Sequence, residues 1–323
     1  MDTAQHVPVL LDRCVELLAP ALDHPGAVAI DATLGLGGHA EALLDRCPSV
    51  TLVGIDRDPE ALALAGGRLS RFGPRARFHA GEFDDIRGAL SVVGARRADA
   101  ILFDLGVSSL QIDDVERGFS YSKDAPLDMR MNPGDPATAA DLLLDAPEAE
   151  IARILKEYGE ERYAARIARA IVRRREVAPV TRSGELVDLV RASIPAAARS
   201  EGGNPAKRTF QALRIAVNRE LDILGRALPA AIEATAIGGR VVVLAYQSLE
   251  DRMVKRAFVQ GAQTRAPRGM PVVRQEDEPY LRLLVKGAEK ASAAEAAANP
   301  RSTSVRLRAV ERIAATPQGR WAA

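Results

Sequence analysis

Short apolar runs alternate with amphipathic stretches along the first third of the chain. Residues 28–31, 52–55 and 100–104 are apolar runs that end at, or just before, an aspartate. Such runs are typical of strands buried on both faces of a parallel sheet. Residues 9–18, ahead of the first run, have the period of a helix with one apolar face, and another helix is expected between the first two runs. The pattern predicts a Rossmann-like, doubly wound α/β sheet preceded by a helix.

The α/β pattern stops near residue 109. Residues 110–135 are polar and rich in turn residues, and four helices are expected after them. The first is expected to start at Asp135-Pro136, the second at Pro147, the third after Gly159 and the fourth over residues 181–194. Residues 195–206 are typical of a linker. We therefore expect an all-helical insertion domain over residues 110–203, at the carboxyl edge of the sheet, where it would select the substrate.

The α/β pattern resumes after residue 204. A helix is expected over residues 209–234, a turn at Gly238-Gly239, a buried strand over 241–246 and a helix over 249–258. Residues 281–285 and 305–310 are expected to pair as closing antiparallel strands. The alanine-rich residues 288–298 are expected to be a linker, and residues 314–323 a disordered tail. Residues 1–109 and 204–313 would then form one discontinuous α/β domain.

The turn after the first predicted strand is rich in glycine. It contains Gly35, Gly37 and Gly38, followed by His39, and we call residues 35–39 the glycine turn. Glycines at a strand-to-helix turn let the backbone approach a ligand where side chains would collide. Asp56 follows the second strand about 20 residues later, where an acid can accept hydrogen bonds from ribose hydroxyls. This part of the sequence predicts a site for a nucleoside.

Two nucleoside cofactors fit this pattern. Gly35-x-Gly37-x-x-Ala40 matches the dinucleotide fingerprint, so an NAD enzyme is one alternative. Further acids follow the third and fourth strands, in the string Glu82-Phe83-Asp84-Asp85 and at Asp104. Carboxylates suit the sulfonium and ammonium groups of S-adenosylmethionine (SAM), whereas a pyrophosphate prefers backbone amides and a helix N-terminus. The sequence therefore favours SAM, and it shows no evident catalytic set of a dehydrogenase.

Composition limits the partners. The chain of 323 residues carries a formal net charge of +1, so a nucleic acid would have to bind a local basic patch. Two cysteines, Cys14 and Cys47, and four histidines exclude a disulfide framework and argue against a zinc cluster. The chain lacks a signal peptide pattern and an apolar run of membrane-spanning length. A cytoplasmic protein is expected, with both cysteines in structural roles.

One local basic patch lies in the predicted insertion. Residues 150–182 contain nine basic and five acidic residues. Four of the arginines recur on one side of a predicted helix, and we call them the arginine stripe: Arg162, Arg166, Arg169 and Arg173. Guanidinium groups suit phosphate. The alternative is a solvated face in which these arginines pair with Glu157, Glu160 and Glu161, and the sequence leaves both interpretations open.

Several strings in the chain together resemble one family, the MraW/RsmH methyltransferases. They occur in the family's order from about residue 6 to residue 313, and they are Asp104-Leu-Gly-Val-Ser-Ser109, Gln111-Ile-Asp-Asp, Glu116-Arg-Gly-Phe-Ser, Pro126-Leu-Asp-Met-Arg-Met131, Tyr158-Gly-Glu-Glu-Arg-Tyr163, Arg208-Thr-Phe-Gln-Ala212 and Ser248-Leu-Glu-Asp-Arg252. The resemblance implies a class I SAM-dependent methyltransferase fold. It also implies methylation of N4 of a decoding-region cytidine in bacterial 16S ribosomal RNA, with the small ribosomal subunit as partner.

The resemblance also implies cofactor contacts. They fall on Gly37, Gly38, His39, Asp56, Phe83, Asp104 and Gln111. Phe83 would stack on adenine, although a phenylalanine at this point is otherwise a core residue. His39 has a helix-capping or surface role as its alternative, and Asp31 is expected to order the glycine turn.

The sequence indicates the catalytic residues less clearly than the cofactor contacts. The exocyclic amine of cytosine is a poor nucleophile, so the enzyme must accept its N–H and align it with the methyl group. Asp104, Ser108 and Ser109 are the candidates, although the Asn/Asp-Pro-Pro-aromatic tetrad of many amino-methyltransferases is absent. Gln247 replaces a histidine found in many relatives, which argues against a general base there.

Candidate substrate contacts are the arginine stripe, Arg130 and aromatic residues that could stack on a displaced base, namely Phe119, Tyr121 and Tyr246.

Two other classes of function stay open. A methyltransferase for a small molecule or a protein would predict an acidic or apolar insertion. An RNA-binding protein without catalysis is disfavoured because the glycine turn, Asp56 and Asp104 are all present.

Overall fold

The computed structural model describes residues 8–196, 204–267 and 274–317. The chain divides into two compact units. We call Met1–Gly106 together with Asp222–Ala323 the sheet unit, and Val107–Leu221 the helical unit. Within the described part of the chain, no helix is both long and apolar enough to cross a membrane.

The sheet unit contains seven strands. They are β1 (Val28–Asp31), β2 (Thr51–Asp56), β3 (Ala76–Ala80), β4 (Ala98–Asp104), β5 (Thr235–Ala245), β6 (Leu281–Leu283) and β7 (Arg306–Arg312). Their order in the sheet is β3-β2-β1-β4-β5-β7-β6. The strands β1 to β5 run parallel, and β7 pairs antiparallel with both β5 and β6. The predicted doubly wound sheet and its closing antiparallel pair are confirmed.

Helices surround the strands in chain order. They are α1 (Leu11–Leu18), α2 (Gly38–Arg46), α3 (Pro59–Leu69), α4 (Ile86–Val92), α5 (Ser109–Asp113), α6 (Ala139–Asp145), α7 (Glu148–Gly159), α8 (Ala164–Arg175), α9 (Ser183–Ser193), α10 (Lys207–Asn218), α11 (Glu220–Ala234), α12 (Ser248–Ala262) and α13 (Ala293–Ala298). One face of the sheet packs against α1, α2 and α3, and the other against α4, α11 and α12. Neighbouring residues of a strand point to opposite faces, so Ile101 and Leu102 of β4 enter different cores.

The helical unit has a core of its own. The predicted apolar stripes of α7 and α8 are buried in it, including Ile151, Ile154, Ile167 and Ile171. The helix α10 packs into the same core through Phe210, Ala212 and Leu213. The sequence pattern predicts this helix as part of the α/β domain. The structure differs because the apolar face of α10 completes the helical core.

Two predicted helix boundaries are wrong. The helix α6 begins at Ala139 instead of at Asp135-Pro136, because Thr138 accepts a hydrogen bond from Asp141 N and forms a capping box with it. The single helix expected over residues 209–234 is broken at Arg219, which has a left-handed φ of 50°. The preceding residue, Asn218, is buried and bonds Met129 O and Met131 N through its side chain, and α10 ends there.

Two segments expected to be irregular belong to regular elements. Gly238 and Gly239 lie inside β5, where its pairing with β4 shifts between Ala98 and Ala100, so they form an irregularity within the strand instead of a turn before it. The alanine-rich segment contains α13, whose Glu295 accepts a hydrogen bond from Leu10 N. Residues 197–203 of the expected linker and 318–323 of the expected tail lie outside the described residues.

Candidate active site

Asp56 at the end of β2 holds the glycine turn in place. Its Oδ2 accepts a hydrogen bond from Gly35 N at 2.8 Å, and its Oδ1 accepts one from Asp58 N at 2.9 Å. Burial raises the pKa of Asp56, while these backbone hydrogen bonds act in the opposite direction. Asp56 therefore orders the glycine turn directly, whereas Asp31, for which the sequence predicts that role, accepts a hydrogen bond from Thr33 N in the loop before the turn. A carboxylate has about four acceptor positions, so this role leaves capacity for a ligand.

Two glycines of the turn are required by the packing of the protein itself. Gly37 has a φ of 77°, and a Cβ there would lie 3.3 Å from Cβ of Ala65. A Cβ on Gly38 would overlap the ring of Pro8. The glycines therefore do not by themselves demonstrate a ligand, and their contact with SAM stays a prediction.

Asp104 lies where three parts of the sheet unit meet, at the end of β4. Its backbone N donates to Thr33 Oγ1 at 2.6 Å, which ties it to the loop after β1. The hydroxyl of Tyr246 donates to Asp104 Oδ1 at 2.6 Å. Nδ1 of His39 lies 3.7 Å from Asp104 Oδ2. The carboxylate is thus positioned by the loop after β1, by α2 and by the residue after β5.

His39 is a buried residue, with 5% of its surface exposed. Its Nε2 lies 3.0 Å from Val9 O, and because a carbonyl only accepts hydrogen bonds, Nε2 must carry a proton. Nδ1 then faces Asp104. The alternative capping or surface role of His39 is wrong, since the ring connects the segment before α1 to the end of β4.

Two carboxylates lie at this end of the sheet, that of the buried Asp31 and that of the half-buried Asp56. Asp31 is 1% exposed, and burial raises its pKa from 3.8 to about 6. Among the described residues, no cation lies within ion-pair distance of Asp31 or Asp56. Since an unpaired buried carboxylate is costly, a cationic ligand would be favoured beside them. The negative charge of these two carboxylates suits the sulfonium and ammonium groups of SAM.

The acids after β3 have other partners. Glu82 lies 3.7 Å from Arg57 and 3.4 Å from Arg226, and Asp84 lies 2.7 Å from Arg226. Asp85 accepts from Gly88 N at the start of α4 and bonds His79. Ion pairs and a helix cap thus give these acids structural partners, and a contact between them and a cofactor stays a prediction.

Phe83 lies beside these acids and is half-buried. Its ring packs edge-on against Phe103, with a centroid distance of 6.2 Å. Stacking of Phe83 on adenine remains a prediction.

The two residues after β5 are fixed by one buried acid. Glu250, 2% exposed, accepts from Tyr246 N at 2.9 Å and from Gln247 N at 3.2 Å. Its other oxygen accepts from Gln247 Nε2 at 2.8 Å. This arrangement sets the orientation in which Tyr246 contacts Asp104, a contact that sequence analysis did not predict.

The remaining candidate residues belong to the helical unit. The hydroxyl of Ser108 accepts from Gln111 N, and Gln111 Oε1 accepts from Ser108 N, so these two residues form the capping box of α5. Ser109 is the first residue of α5. Arg130 is held in its own loop, because its guanidinium group donates two hydrogen bonds to the carboxylate of Asp128 and one to Asp135 O. These bonds give Ser108, Gln111 and Arg130 local structural roles.

Two of the aromatic candidates pack against the core of the helical unit. Phe119 and Tyr121 both lie against it, and Tyr121 contacts the ring of Phe210 edge-on at 5.9 Å. Their packing accounts for them without a bound base.

The four side chains of the arginine stripe are exposed. Three of them lie on α8, and Arg162 lies two residues before that helix. Arg169 lies 3.6 Å from Glu148, and Arg162 lies over the ring of Tyr163. Within the described residues, Arg166 and Arg173 have no acid within 4 Å. Two of the acids expected to neutralise the stripe have other partners, since Glu157 bonds Arg153 and Glu161 bonds Tyr163 N.

Comparison with known proteins decides the family. The model of the MraW methylase family matches residues 3–313. The chain belongs to the MraW methylase family. It is 60% identical over 314 residues to "Ribosomal RNA small subunit methyltransferase H" of Beutenbergia cavernae, which covers 97% of this chain and 94% of the relative. A protein with the same name from Saccharopolyspora erythraea is 58% identical, over 96% of this chain and 94% of the relative. Another from Leifsonia xyli subsp. xyli is also 58% identical, over 98% of this chain and 97% of the relative.

This member of the MraW methylase family has the sheet of a class I SAM-dependent methyltransferase. The five parallel strands with β1 and β4 at the centre, followed by the antiparallel β7 between β5 and β6, form that fold. The family resemblance and the fold class expected from the sequence are both confirmed.

Proposed function

We propose that this MraW methylase transfers a methyl group from SAM to the N4 amine of a decoding-region cytidine in 16S ribosomal RNA, within the small ribosomal subunit. The observation that carries the proposal is the position of Asp104 at the end of β4, where its carboxylate accepts from Tyr246 and its backbone N donates to Thr33. The names of the relatives support ribosomal RNA of the small subunit as the substrate class. With that substrate, the enzyme would act in the cytoplasm.

The cofactor would be held in the sheet unit at the glycine turn. Asp56 would accept from the ribose hydroxyls, and the buried charge of Asp31 would favour the cationic end of the molecule. The family assigns further contacts to Gly37, Gly38, His39, Phe83, Asp104 and Gln111. When bound, SAM supplies an electrophilic methyl group.

Asp104 would accept the N–H of the target amine. The nitrogen lone pair of cytosine N4 is delocalised into the ring. A fixed carboxylate that accepts the N4 proton, as the N–C bond forms and the S–C bond of SAM breaks, would stabilise the positive charge developing on the nitrogen and lower the barrier. Tyr246 occupies one acceptor position of Oδ1, and a carboxylate has others. We assign proton acceptance to Asp104 in preference to Ser108, whose hydroxyl caps α5. A role of Ser109 stays a prediction.

The arginine stripe would bind the RNA backbone. Its members are exposed, and Arg166 and Arg173 have no acid within 4 Å among the described residues. Exposed guanidinium groups without acidic partners suit phosphates, which supply most of the affinity of RNA-binding surfaces. Arg130 is left out of this surface, because Asp128 and Asp135 already hold it. Tyr246 would serve Asp104 instead of stacking on the base.

A labelling experiment tests the proposal. The purified chain is incubated with methyl-labelled SAM and small ribosomal subunits from a strain that lacks the gene. The RNA is digested, and its nucleosides are resolved by mass spectrometry. Label in N4-methylcytidine is the expected result. Label in another nucleoside would contradict the N4 assignment, and absence of transfer despite measurable SAM binding would contradict the RNA substrate.

A further inference from the structure

A cleft of about 380 Å³ opens in the sheet unit at the end of the sheet opposite to Asp104. Four arginines line it, and we call it the arginine cleft: Arg87, Arg96, Arg97 and Arg312. Arg97 directly precedes β4, whereas Asp104 ends that strand. Seven residues of strand at about 3.3 Å each separate the two positions by roughly 20 Å. The arginine cleft is therefore distinct from the proposed methyl-transfer site.

Two of these arginines are fixed by the end of α11. Arg312 NH1 donates to Glu233 O at 2.7 Å and to Thr235 O at 2.6 Å, and Arg97 NH1 also donates to Glu233 O. Two guanidinium groups thus converge on the same carbonyl group. Burial, and secondly the charge of Arg97, lower the pKa of Arg312. The positive charges in the cleft are therefore incompletely compensated.

The other two arginines add positive charge at the rim. Arg87 lies on α4 and Arg96 in the turn before β4, and both are exposed. Within the described residues, neither has an acid within 4 Å. Glu233 is the one acidic residue that lines the described part of the cleft, beside the four arginines. An anion in the cleft would relieve the repulsion among these groups.

The shape of the cleft indicates which anion fits. Leu90 and Ala230 also line the cleft and add apolar surface to it. A bare ion would leave that surface in water, whereas a sugar-phosphate unit covers it while its phosphate faces the arginines. Guanidinium groups bind phosphate oxygens in pairs, which matches a phosphodiester. A long RNA chain is the ligand that can reach a position this far from the reacting base.

We propose that the arginine cleft binds a phosphodiester of the RNA substrate, as a second contact remote from methyl transfer. This inference rests on the proposed function, because it takes the substrate to be RNA. The sheet unit would then hold the RNA backbone as well as the cofactor.

The test compares two double variants of the full chain. In Arg87→Gln with Arg96→Gln, the rim loses two charges, whereas Arg97 and Arg312 keep their contacts with α11. The control, Arg46→Gln with Lys290→Gln, removes the same charge from exposed positions of the sheet unit outside the cleft. Binding of a fluorescein-labelled decoding-region stem-loop RNA is followed by anisotropy over a series of potassium chloride concentrations. SAM binding is measured by calorimetry.

The cleft variant is expected to bind the RNA more weakly, on the order of tenfold. The slope of log affinity against log salt concentration should become shallower by the amount that about one to two phosphate contacts contribute. SAM affinity should stay unchanged, and the control should match the parent chain. Equal RNA binding by the cleft variant and the control overturns the inference but leaves the proposed function intact. If calorimetry shows that the cleft variant binds inorganic phosphate more weakly than the parent chain but binds RNA equally well, the inference is also overturned, because the cleft then takes a small anion. Absence of RNA binding by the parent chain overturns both.

Discussion

The hydroxyl of Tyr246 donates a hydrogen bond to Oδ1 of Asp104 across 2.6 Å, although the two residues are 142 positions apart in the chain. Burial and the neighbouring charge of Asp104 raise the pKa of Tyr246 far above its ordinary value. The phenol therefore stays protonated at every working pH and remains a donor. Tyr246 is a positioning residue for the carboxylate that we assign to proton acceptance.

Replacing this hydroxyl tests the positioning role. Tyr246→Phe removes one hydrogen bond to a charged group, a contribution of about 1.5–3 kcal/mol. We expect kcat for RNA methylation to fall by roughly tenfold to a hundredfold, with little change in KM for SAM. Tyr121→Phe, which removes a hydroxyl next to the core of the helical unit, is the control. An unchanged kcat, or an equal loss in the control, would contradict the role.

Asp56 is predicted to have two functions, to order the glycine turn and to accept hydrogen bonds from the ribose. Asp56→Ala removes the acceptor of Gly35 N and of the ribose, so we expect SAM affinity to fall by about a hundredfold. Asp56→Asn keeps one carbonyl oxygen and should lose less. Calorimetry with SAM measures both. Equal affinities of the parent chain and the alanine variant would refute the ribose contact.

The strands and the acids at their ends could be predicted from the sequence. Parallel strands are buried on both faces, so β1, β2 and β4 are continuous apolar runs, and Asp56 and Asp104 mark where two of them end. The apolar stripes of α7 and α8 were visible for a similar reason, since a helix buries one side every 3.6 residues.

The partners of the polar residues could not be predicted in this way. Nothing local indicates that Glu82 and Asp84 meet Arg226, because that arginine lies more than 140 positions later in the chain. Asn218 ends a helix through bonds to a loop 87 and 89 positions earlier. The buried ring of His39 contacts Val9 O, which lies 30 positions earlier in the chain, and no local pattern indicates that contact. Contacts of this kind depend on tertiary structure, whereas periodicity reports only which side of an element is buried.

The buried carboxyl of Asp31 predicts a pH-dependent stability. Its pKa is about 6 in the folded chain and about 3.8 in the unfolded chain. Between these values the folded chain binds more protons, so the free energy of unfolding decreases as pH rises from about 4 to about 6. The stabilisation is fully present below pH of about 4, and its loss above pH of about 6 amounts to about 3 kcal/mol.

Asp31→Asn should remove this dependence. The amide keeps an oxygen for Thr33 N and carries no charge, so we expect the SAM-free variant to be more stable than the parent chain above pH of about 6. Denaturant unfolding at several pH values measures the difference, with the exposed Asp23→Asn as control. SAM affinity should decrease in Asp31→Asn, because the buried negative charge is lost. Equal pH dependence in the variant and the parent would contradict the raised pKa.

The arginine stripe is tested by charge reversal at its centre. Arg166→Glu with Arg169→Glu replaces two exposed guanidinium groups, of which Arg169 has only a long contact with Glu148. Because each phosphate contact contributes about 0.7 to 0.9 to the salt slope, we expect the slope of RNA binding to decrease by about 1.5 and the affinity to fall by at least tenfold. SAM affinity should not change.

The exposed Arg191→Glu in α9 is a control for reversal of a single charge on the helical unit. It should leave the salt slope as it is in the parent chain, since Arg191 lies outside the stripe. Methylation of native small subunits at parental rate by the Arg166→Glu, Arg169→Glu variant would show that the stripe is a solvated face. Loss of methylation together with a flattened salt slope, with SAM binding retained, would assign substrate binding to α8.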